Sequence, residues 1–189
     1  MAEVLLFHHA LGLTRGCRDF ADDLRAGGHV VHLPDLYGGR TFETIEEGVG
    51  FAKEVGFDQL LERGRMAADE LPHELVYAGF SLGVMPAQML AQTRSGAIGA
   101  LLIYACLPAA EFGTWPAGVP VQVHAMEGDE WFEEDLECAR ALVAENNGAE
   151  LYLYPGDRHL FADPSTPDYD EAAATLLTRR VLAFLGERP

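Results

Sequence analysis

One serine in the chain stands in a setting that could make it a nucleophile. In Gly79-Phe80-Ser81-Leu82-Gly83, glycines flank Ser81 at a spacing of two residues on either side. An apolar run typical of a buried strand precedes this stretch, and residues 84–93 have the apolar spacing of a helix. A tight turn between strand and helix lifts the serine hydroxyl above the sheet edge, and the glycines avoid side-chain collisions there. The pattern predicts that Ser81 attacks a carbonyl carbon.

The partners of this serine are expected later in the chain. A serine hydroxyl needs a base within hydrogen-bond reach, and the base needs an acid that orients it. With such a turn the chain order is serine, acid, histidine. His124 falls inside a predicted strand, whereas His159 follows one, so His159 is the preferred base. Asp129 lies just past a turn glycine and is the preferred acid, with three alternatives: Glu127, Glu130 and Asp157.

The negative charge that forms on the attacked carbonyl oxygen needs hydrogen-bond donors. The backbone N–H of Leu82, at the start of the helix, is one candidate, helped by the helix dipole. The other is expected from the loop after the first strand, which faces the turn across the sheet edge. We choose the N–H of Ala10, and a slip of one residue would select Leu11 instead.

Several apolar or aromatic residues adjoin these positions and could line a substrate pocket. Each could equally belong to the core, and the predicted set is His9, Leu11, Tyr37, Phe80, Met126, Trp131 and Phe161. We expect His8 to close the first strand and His9 to line the crevice near Ser81. Paired histidines can bind a metal, but no second cluster of ligands at suitable spacing accompanies them. The sequence therefore predicts no metal and no cofactor.

The elements that must position these residues alternate between strands and helices. Predicted strands cover residues 4–9, 29–33, 98–104, 119–125 and 150–154 besides the run before Ser81, and predicted helices cover 19–26, 58–71, 84–93, 133–146 and 169–185, while 40–57 give mixed signals. This rhythm predicts one α/β domain over residues 1–189, with a six-stranded, mainly parallel sheet in the order 2-1-3-4-5-6 and helices on both faces. Ligands of such sheets bind beyond the carboxyl ends of the strands, where the candidate residues would converge.

The chain resembles the dienelactone hydrolase family of the α/β-hydrolase superfamily over most of its length. The residues that carry the resemblance are 5–12, 28–39, the turn around Ser81, 128–129 and 156–161, and Pro34-Asp35-Leu36-Tyr37-Gly38 is the most telling segment. The resemblance implies an α/β-hydrolase fold. It also implies Ser81, Asp129 and His159 as a catalytic triad, with the N–H groups of Ala10 and Leu82 as the oxyanion hole.

Three positions depart from the namesake enzymes of this family. Those enzymes carry cysteine, glutamate and arginine where this chain has Ser81, His9 and Asp163. Serine suits an ordinary esterase mechanism. Because the arginine would hold a substrate carboxylate and Asp163 would repel one, we expect neutral esters to be preferred over the anionic dienelactone.

Composition limits the partners and the compartment. The 189 residues are 49% hydrophobic and include only 13 Lys and Arg against 30 Asp and Glu, which gives a formal net charge of −17. This balance argues against nucleic acid or an anionic membrane as a partner, and no apolar run approaches the length of a membrane span. Three cysteines without metal-like spacing and a start without a basic region lead us to expect a cytoplasmic protein with reduced thiols.

These features together predict a serine hydrolase that cleaves carboxylic ester or lactone bonds of a small molecule. An amidase or an acyltransferase would use the same residues. An alternative from another class is a non-catalytic protein that binds small molecules on a hydrolase fold. The sequence leaves the natural substrate and the oligomeric state open.

Overall fold

The fold, seen in a computed structural model that describes residues 1–188, is built on one sheet. Its strands are β1 (Glu3–Phe7), β2 (Val30–His32), β3 (Leu75–Phe80), β4 (Ala97–Ile103), β5 (Val121–Met126) and β6 (Ala149–Tyr154). They are ordered β2-β1-β3-β4-β5-β6, and each neighbouring pair is parallel. The predicted α/β-hydrolase topology is confirmed.

Helices connect the strands. They are α1 (Arg15–Ala26), α2 (Ile45–Val55), α3 (Phe57–Ala68), α4 (Val84–Thr93), α5 (Leu136–Glu145) and α6 (Glu171–Gly186), with short 3-10 turns at Ser81–Gly83 and Ala109–Glu111. Within residues 1–188, none of the helices combines the length and the hydropathy needed to cross a bilayer.

The core lies in two layers, one on each face of the sheet. Alternation along β1 shows why: Val4 and Leu6 point into one layer, while Leu5 and Phe7 point into the other. Helices α1 and α6 supply the first layer, and α2 to α5 supply the second. Strands buried on both faces explain the continuous apolar runs of the sequence.

Two helices differ from the sequence-based prediction because of their caps. Helix α1 begins at Arg15 rather than at residue 19, since the Thr14 hydroxyl accepts a hydrogen bond from the N–H of Cys17 and starts the helix earlier. The mixed segment 40–57 contains α2. Thr44 caps it through the N–H of Glu47, and Gly56, with a φ of 91°, ends it.

Candidate active site

Ser81 lies at the carboxyl end of β3 in a strained backbone conformation. Its φ is 47°, a left-handed value that few residues other than glycine adopt. A Cβ on Gly79 would lie 2.1 Å from the carbonyl oxygen of Gly83, and a Cβ on Gly83 would lie 2.5 Å from that of Phe7. Both positions therefore need glycine so that β3 can turn directly into the following helix.

A hydrogen-bonded relay connects three of the predicted residues. Nε2 of His159 lies 2.8 Å from Oγ of Ser81, and Nδ1 of His159 lies 2.7 Å from Oδ2 of Asp129. His159 is 5% exposed and Asp129 is 4% exposed. With Nδ1 donating to the carboxylate, a neutral imidazole leaves Nε2 free to accept the serine proton.

Backbone hydrogen bonds fix the acid of this relay. Oδ1 of Asp129 accepts from the N–H of Trp131 at 3.0 Å, so both carboxylate oxygens are engaged. The N–H of Gly128 donates to the carbonyl of Gly156 at 2.8 Å, which joins the loop that carries Asp129 to the loop that carries His159. The alternative acids are exposed, and Asp129 is the carboxylate that contacts the imidazole: Glu127, Glu130 and Asp157 point to solvent.

The loop after β1 distinguishes between the two candidates for the second oxyanion donor. The N–H of Leu11 donates to Nδ1 of His9 at 3.3 Å, so it is occupied. Within residues 1–188 the N–H of Ala10 has no acceptor. Leu82 lies in the opening 3-10 turn, where the first N–H groups of a helix have no partner within it. The arrangement thus favours Ala10 over Leu11.

His8, which was expected to close the first strand, lies one residue past the end of β1. Its Nδ1 donates to the carbonyl of His9 at 2.8 Å, and its Nε2 accepts from the N–H of Leu36 at 3.0 Å. Burial lowers the pKa of His8 to about 4. The ring is therefore neutral at physiological pH and connects the end of β1 to the loop after β2.

The structure corrects the expectations for His9 and Asp163. His9 is 1% exposed, so it does not line an open crevice; its Nε2 donates to Oδ2 of Asp163 at 2.8 Å. Nδ1 of the same ring accepts from the N–H of Leu11, so these two contacts fix the neutral tautomer with its proton on Nε2. Asp163 is 3% exposed and accepts hydrogen bonds from His9, Thr14 and Ser165, so its carboxylate is held inside the protein and does not face a substrate.

These two residues also belong to a cluster that the sequence did not reveal. The ligand atoms of His9, Cys17 and Asp163 lie within 4.8 Å of one another, and these residue types bind zinc in other proteins. Asp163, however, already accepts hydrogen bonds from His9, from the Thr14 hydroxyl at 2.6 Å and from the N–H and hydroxyl of Ser165. These bonds account for the positions of His9 and Asp163 without an ion.

Most of the predicted pocket residues are core residues. Six of them are at most 5% exposed: His9, Leu11, Tyr37, Phe80, Met126 and Phe161. Phe80 and Met126 are the last residues of β3 and β5, and Leu11, Tyr37 and Phe161 pack into the core layers from the loops that follow other strands. Trp131 is the exception at 48% exposure, and its ring centre lies 6.0 Å from that of His159. Trp131 is therefore the predicted pocket residue that presents a large exposed apolar surface near His159.

Two cavities lie beside the elements that carry these residues. A groove of about 620 Å³ runs between α1 and α6, and its lining does not include the relay residues. A second cavity of about 380 Å³ lies behind the acid loop, lined by Asp129 together with Met126 and Phe132. Ser81 itself is partly exposed at the sheet edge.

Tyr104 is a residue of the site that the sequence analysis missed. It follows β4 with a φ of 72°, and its hydroxyl accepts from the N–H of Ala162 at 2.9 Å. Its ring centre lies 5.6 Å from that of His159, so it supports the loop that carries the base. Its place just after a buried strand was the available signal, because ligands and catalytic groups collect at strand ends.

Comparison with known proteins supports the fold. The structure is similar to that of P91, a dienelactone hydrolase-like promiscuous phosphotriesterase from metagenomic libraries, with a TM-score of 0.78, 16% identity, and coverage of 100% of this chain and 87% of that chain. It is also similar to Thermogutta terrifontis esterase 2 phosphoramylated by tabun, with a TM-score of 0.62, 19% identity, and coverage of 98% and 83%. Among curated proteins, none matches the sequence. The family model described as the dienelactone hydrolase family matches residues 1–188, and the chain therefore belongs to that family of hydrolases.

Proposed function

We propose that the chain is a serine hydrolase that cleaves carboxylic ester or lactone bonds of small molecules through an acyl-enzyme on Ser81. The observation that carries this proposal is the relay from Ser81 through His159 to Asp129, at the strained turn after β3. Strain of this kind persists where the surrounding structure enforces it, and it collects at functional sites.

The reaction would follow from the positions of these groups. Oγ of Ser81 bonds to the carbonyl carbon while its proton passes to Nε2 of His159, and the oxyanion accepts hydrogen bonds from the N–H groups of Ala10 and Leu82. The ester bond then breaks, and His159 returns the proton to the leaving oxygen. Water, deprotonated by the same imidazole, releases the acid and restores Ser81. Asp129 holds the tautomer of His159 throughout.

The solved relatives support the choice of electrophile. Thermogutta terrifontis esterase 2 is recorded phosphoramylated by tabun, and P91 is described as a promiscuous phosphotriesterase. A phosphorus centre is attacked in the same way as a carbonyl carbon and leaves a tetrahedral product that resembles the oxyanion intermediate. A fluorophosphonate is therefore a suitable probe for this chain.

Ester hydrolysis by single variants tests the proposal. Because residues that act as one unit are not additive, Ser81→Ala and His159→Ala should each lower kcat for p-nitrophenyl acetate by at least about 10⁴-fold, and the double variant by little more. Ser95→Ala changes an exposed serine and is the matched control, expected to be fully active. Full hydrolysis by purified Ser81→Ala protein would contradict the proposal and favour a different active group or a binding protein.

The role of the acid can be tested separately. Asp129→Asn keeps the shape of the side chain but disturbs the tautomer and orientation of His159, so kcat should fall by up to about 10⁴-fold. Glu130→Gln, a neighbouring exposed carboxylate, is the control and should retain kcat. An active Asp129→Asn enzyme would show that another acid orients His159. Product analysis with alcohols or amides in place of water then separates a hydrolase of esters from an acyltransferase or an amidase.

A further inference from the structure

The loop that carries the Ala10 N–H is fixed by the residue before it. The carbonyl of His9 accepts from the N–H of Gly12 at 3.0 Å and from Nδ1 of His8, and the ring of His9 accepts from the N–H of Leu11. The His9 side chain thus folds back over its own turn. The N–H of Ala10 lies in this turn and has no acceptor within residues 1–188.

The other end of the same imidazole is held by the loop that carries the base. Nε2 of His9 donates to Asp163, a residue 154 positions away in the sequence that follows His159 in the same loop. The N–H of Asp163 donates to the carbonyl of Leu160 at 2.9 Å, which fixes the backbone of Asp163 relative to the base. One side-chain hydrogen bond therefore joins the two loops on which the proposed donor and base lie.

Hydrogen bonds and close packing hold the Asp163 side chain in the orientation in which it contacts His9. The Thr14 hydroxyl, which caps α1, donates to the same oxygen that His9 contacts, and Ser165 donates to the other oxygen. A Cβ on Gly16 would lie 1.8 Å from Oδ1 of Asp163, so only glycine fits beside the carboxylate. The hydrogen bonds of His9 and Ser165 lower the pKa of Asp163 to about 2 against the effect of burial, so it is ionised.

We propose that His9 and Asp163 are positioning residues that aim the N–H of Ala10 at the oxyanion and hold its distance from His159. This inference rests on the proposed function, because it assigns a role within that reaction. Neither side chain touches the substrate. Their loss should weaken the transition state rather than substrate binding, since the oxyanion forms only after attack.

Variants of the pair test this role through kcat and KM. Asp163→Asn and His9→Phe should each lower kcat for p-nitrophenyl acetate about 10- to 100-fold with KM changed less than about threefold, because a shift of about 1 Å at a catalytic group has costs of this order. His9→Gln can still donate to Asp163 and should recover most of kcat. The double variant His9→Phe/Asp163→Asn should be no slower than the slower single variant, as expected of one coupled unit.

Two controls separate this proposal from its alternatives. Asp157→Asn changes an exposed carboxylate between β6 and His159 and should leave kcat unchanged. Ser81→Ala, assayed together with the His9 and Asp163 variants, tests the proposed function itself. If it stays active, the serine mechanism is wrong. If it is inactive, the kcat values of the His9 and Asp163 variants decide the positioning role.

The outcomes that would overturn the proposal are specific. Folded His9→Phe and Asp163→Asn proteins with kcat within twofold of the parent would do so, and so would a loss that appears wholly in KM. If Asp163→Asn does not fold, the contrast between His9→Gln and His9→Phe decides. If His9→Phe also fails to fold, the hydrogen bond serves the fold rather than the oxyanion donor, and the proposal is wrong.

Discussion

Two buried carboxylates in this protein are held in place by hydrogen bonds to both of their oxygens. Asp129 uses one oxygen for His159 and the other for the N–H of Trp131. Asp163 binds His9 and Thr14 with one oxygen and Ser165 with the other. Because both oxygens of each carboxylate accept hydrogen bonds, neither side chain can rotate without losing a partner. The first carboxylate orients the base of the proposed relay, and the second fixes the loop that carries Ala10.

The ionisation of Asp163 should appear in the pH dependence of stability. Its folded pKa of about 2 lies below the usual value of about 3.9 in an unfolded chain, so its contribution is present above about pH 4 and is lost as the pH falls towards 2. That contribution is about 2 kcal/mol. Urea unfolding should show Asp163→Asn less stable than the parent at pH 6 and close to it at pH 2.5, whereas a pH-independent difference would contradict this explanation.

The relay residues could be predicted from the sequence, and the His9–Asp163 pair could not. Ser81 stands in a motif whose spacing has a steric cause, and its partners follow in a fixed chain order after strands that can be recognised. His9 and Asp163 carry no such signal, because their contact spans 154 positions and depends on how two loops approach each other. The approach of loops to one another also decides which aromatic residues are buried, so several buried aromatic residues were predicted to line a pocket.

At the scale of the elements, the turn from β3 into α4 is the feature on which the site depends. The carbonyl oxygens of Phe7 and His8, at the end of β1, approach Gly83 so closely that no Cβ fits. The neighbouring strand therefore fixes the position of the turn. This contact also brings the loop that carries Ala10 up to the start of the turn.

A substitution at this contact should affect both stability and activity. In Gly83→Ala the new Cβ would lie 2.5 Å from the Phe7 carbonyl oxygen, which must move, so unfolding free energy should fall by about 1–3 kcal/mol and kcat should fall with it. Gly50→Ala in α2 is the matched control. That position has open space and should gain up to about 1 kcal/mol from the lower helix cost of alanine. Thermal melts and ester kinetics of both variants check this, and a fully stable, active Gly83→Ala protein would contradict it.

Most element types were predictable from apolar spacing, and so were the ends of α4, but helix α2 and the start of α1 were not. The start of α1 depends on the cap from Thr14, a residue that also bonds Asp163 far along the chain. The helix within 40–57 was not predicted because its glycines weaken the helical signal. Gly48 is nevertheless needed, since a Cβ there would lie 1.9 Å from the carbonyl oxygen of Ala10. Tertiary contacts decided what local propensity left open.

At the scale of the whole molecule, the sheet order could be predicted from the alternation of strands and helices. The charge distribution determines the electrostatic field at the site. The chain carries a formal net charge of −17. Beside the relay, the acid loop and the residues just before α5 are exposed and acidic, with Glu127, Glu130, Glu133 and Glu134. A field of this sign repels anionic substrates before they bind.

This field, rather than the buried Asp163, should determine the preference for neutral over anionic esters. The kcat/KM for p-nitrophenyl butyrate should exceed that for p-nitrophenyl hemisuccinate, an anion of similar size, and the ratio should shrink as salt screens the field. Glu130→Lys should narrow the ratio, while Glu43→Lys, in the exposed loop before α2, should change it less. A preference for the anion at low salt would show that the site holds a carboxylate by contacts that outweigh the field.

The central claim is that Ser81 is a nucleophile activated by His159, and covalent labelling tests it most directly. The protein is treated with a fluorophosphonate, digested, and the adduct is located by mass spectrometry. We predict one adduct per chain on the peptide that contains Ser81, none in Ser81→Ala, and labelling at least about 10²-fold slower in His159→Ala because the base is lost. An ester-hydrolysing protein that is not labelled at Ser81, or that is labelled equally fast without His159, would contradict the account.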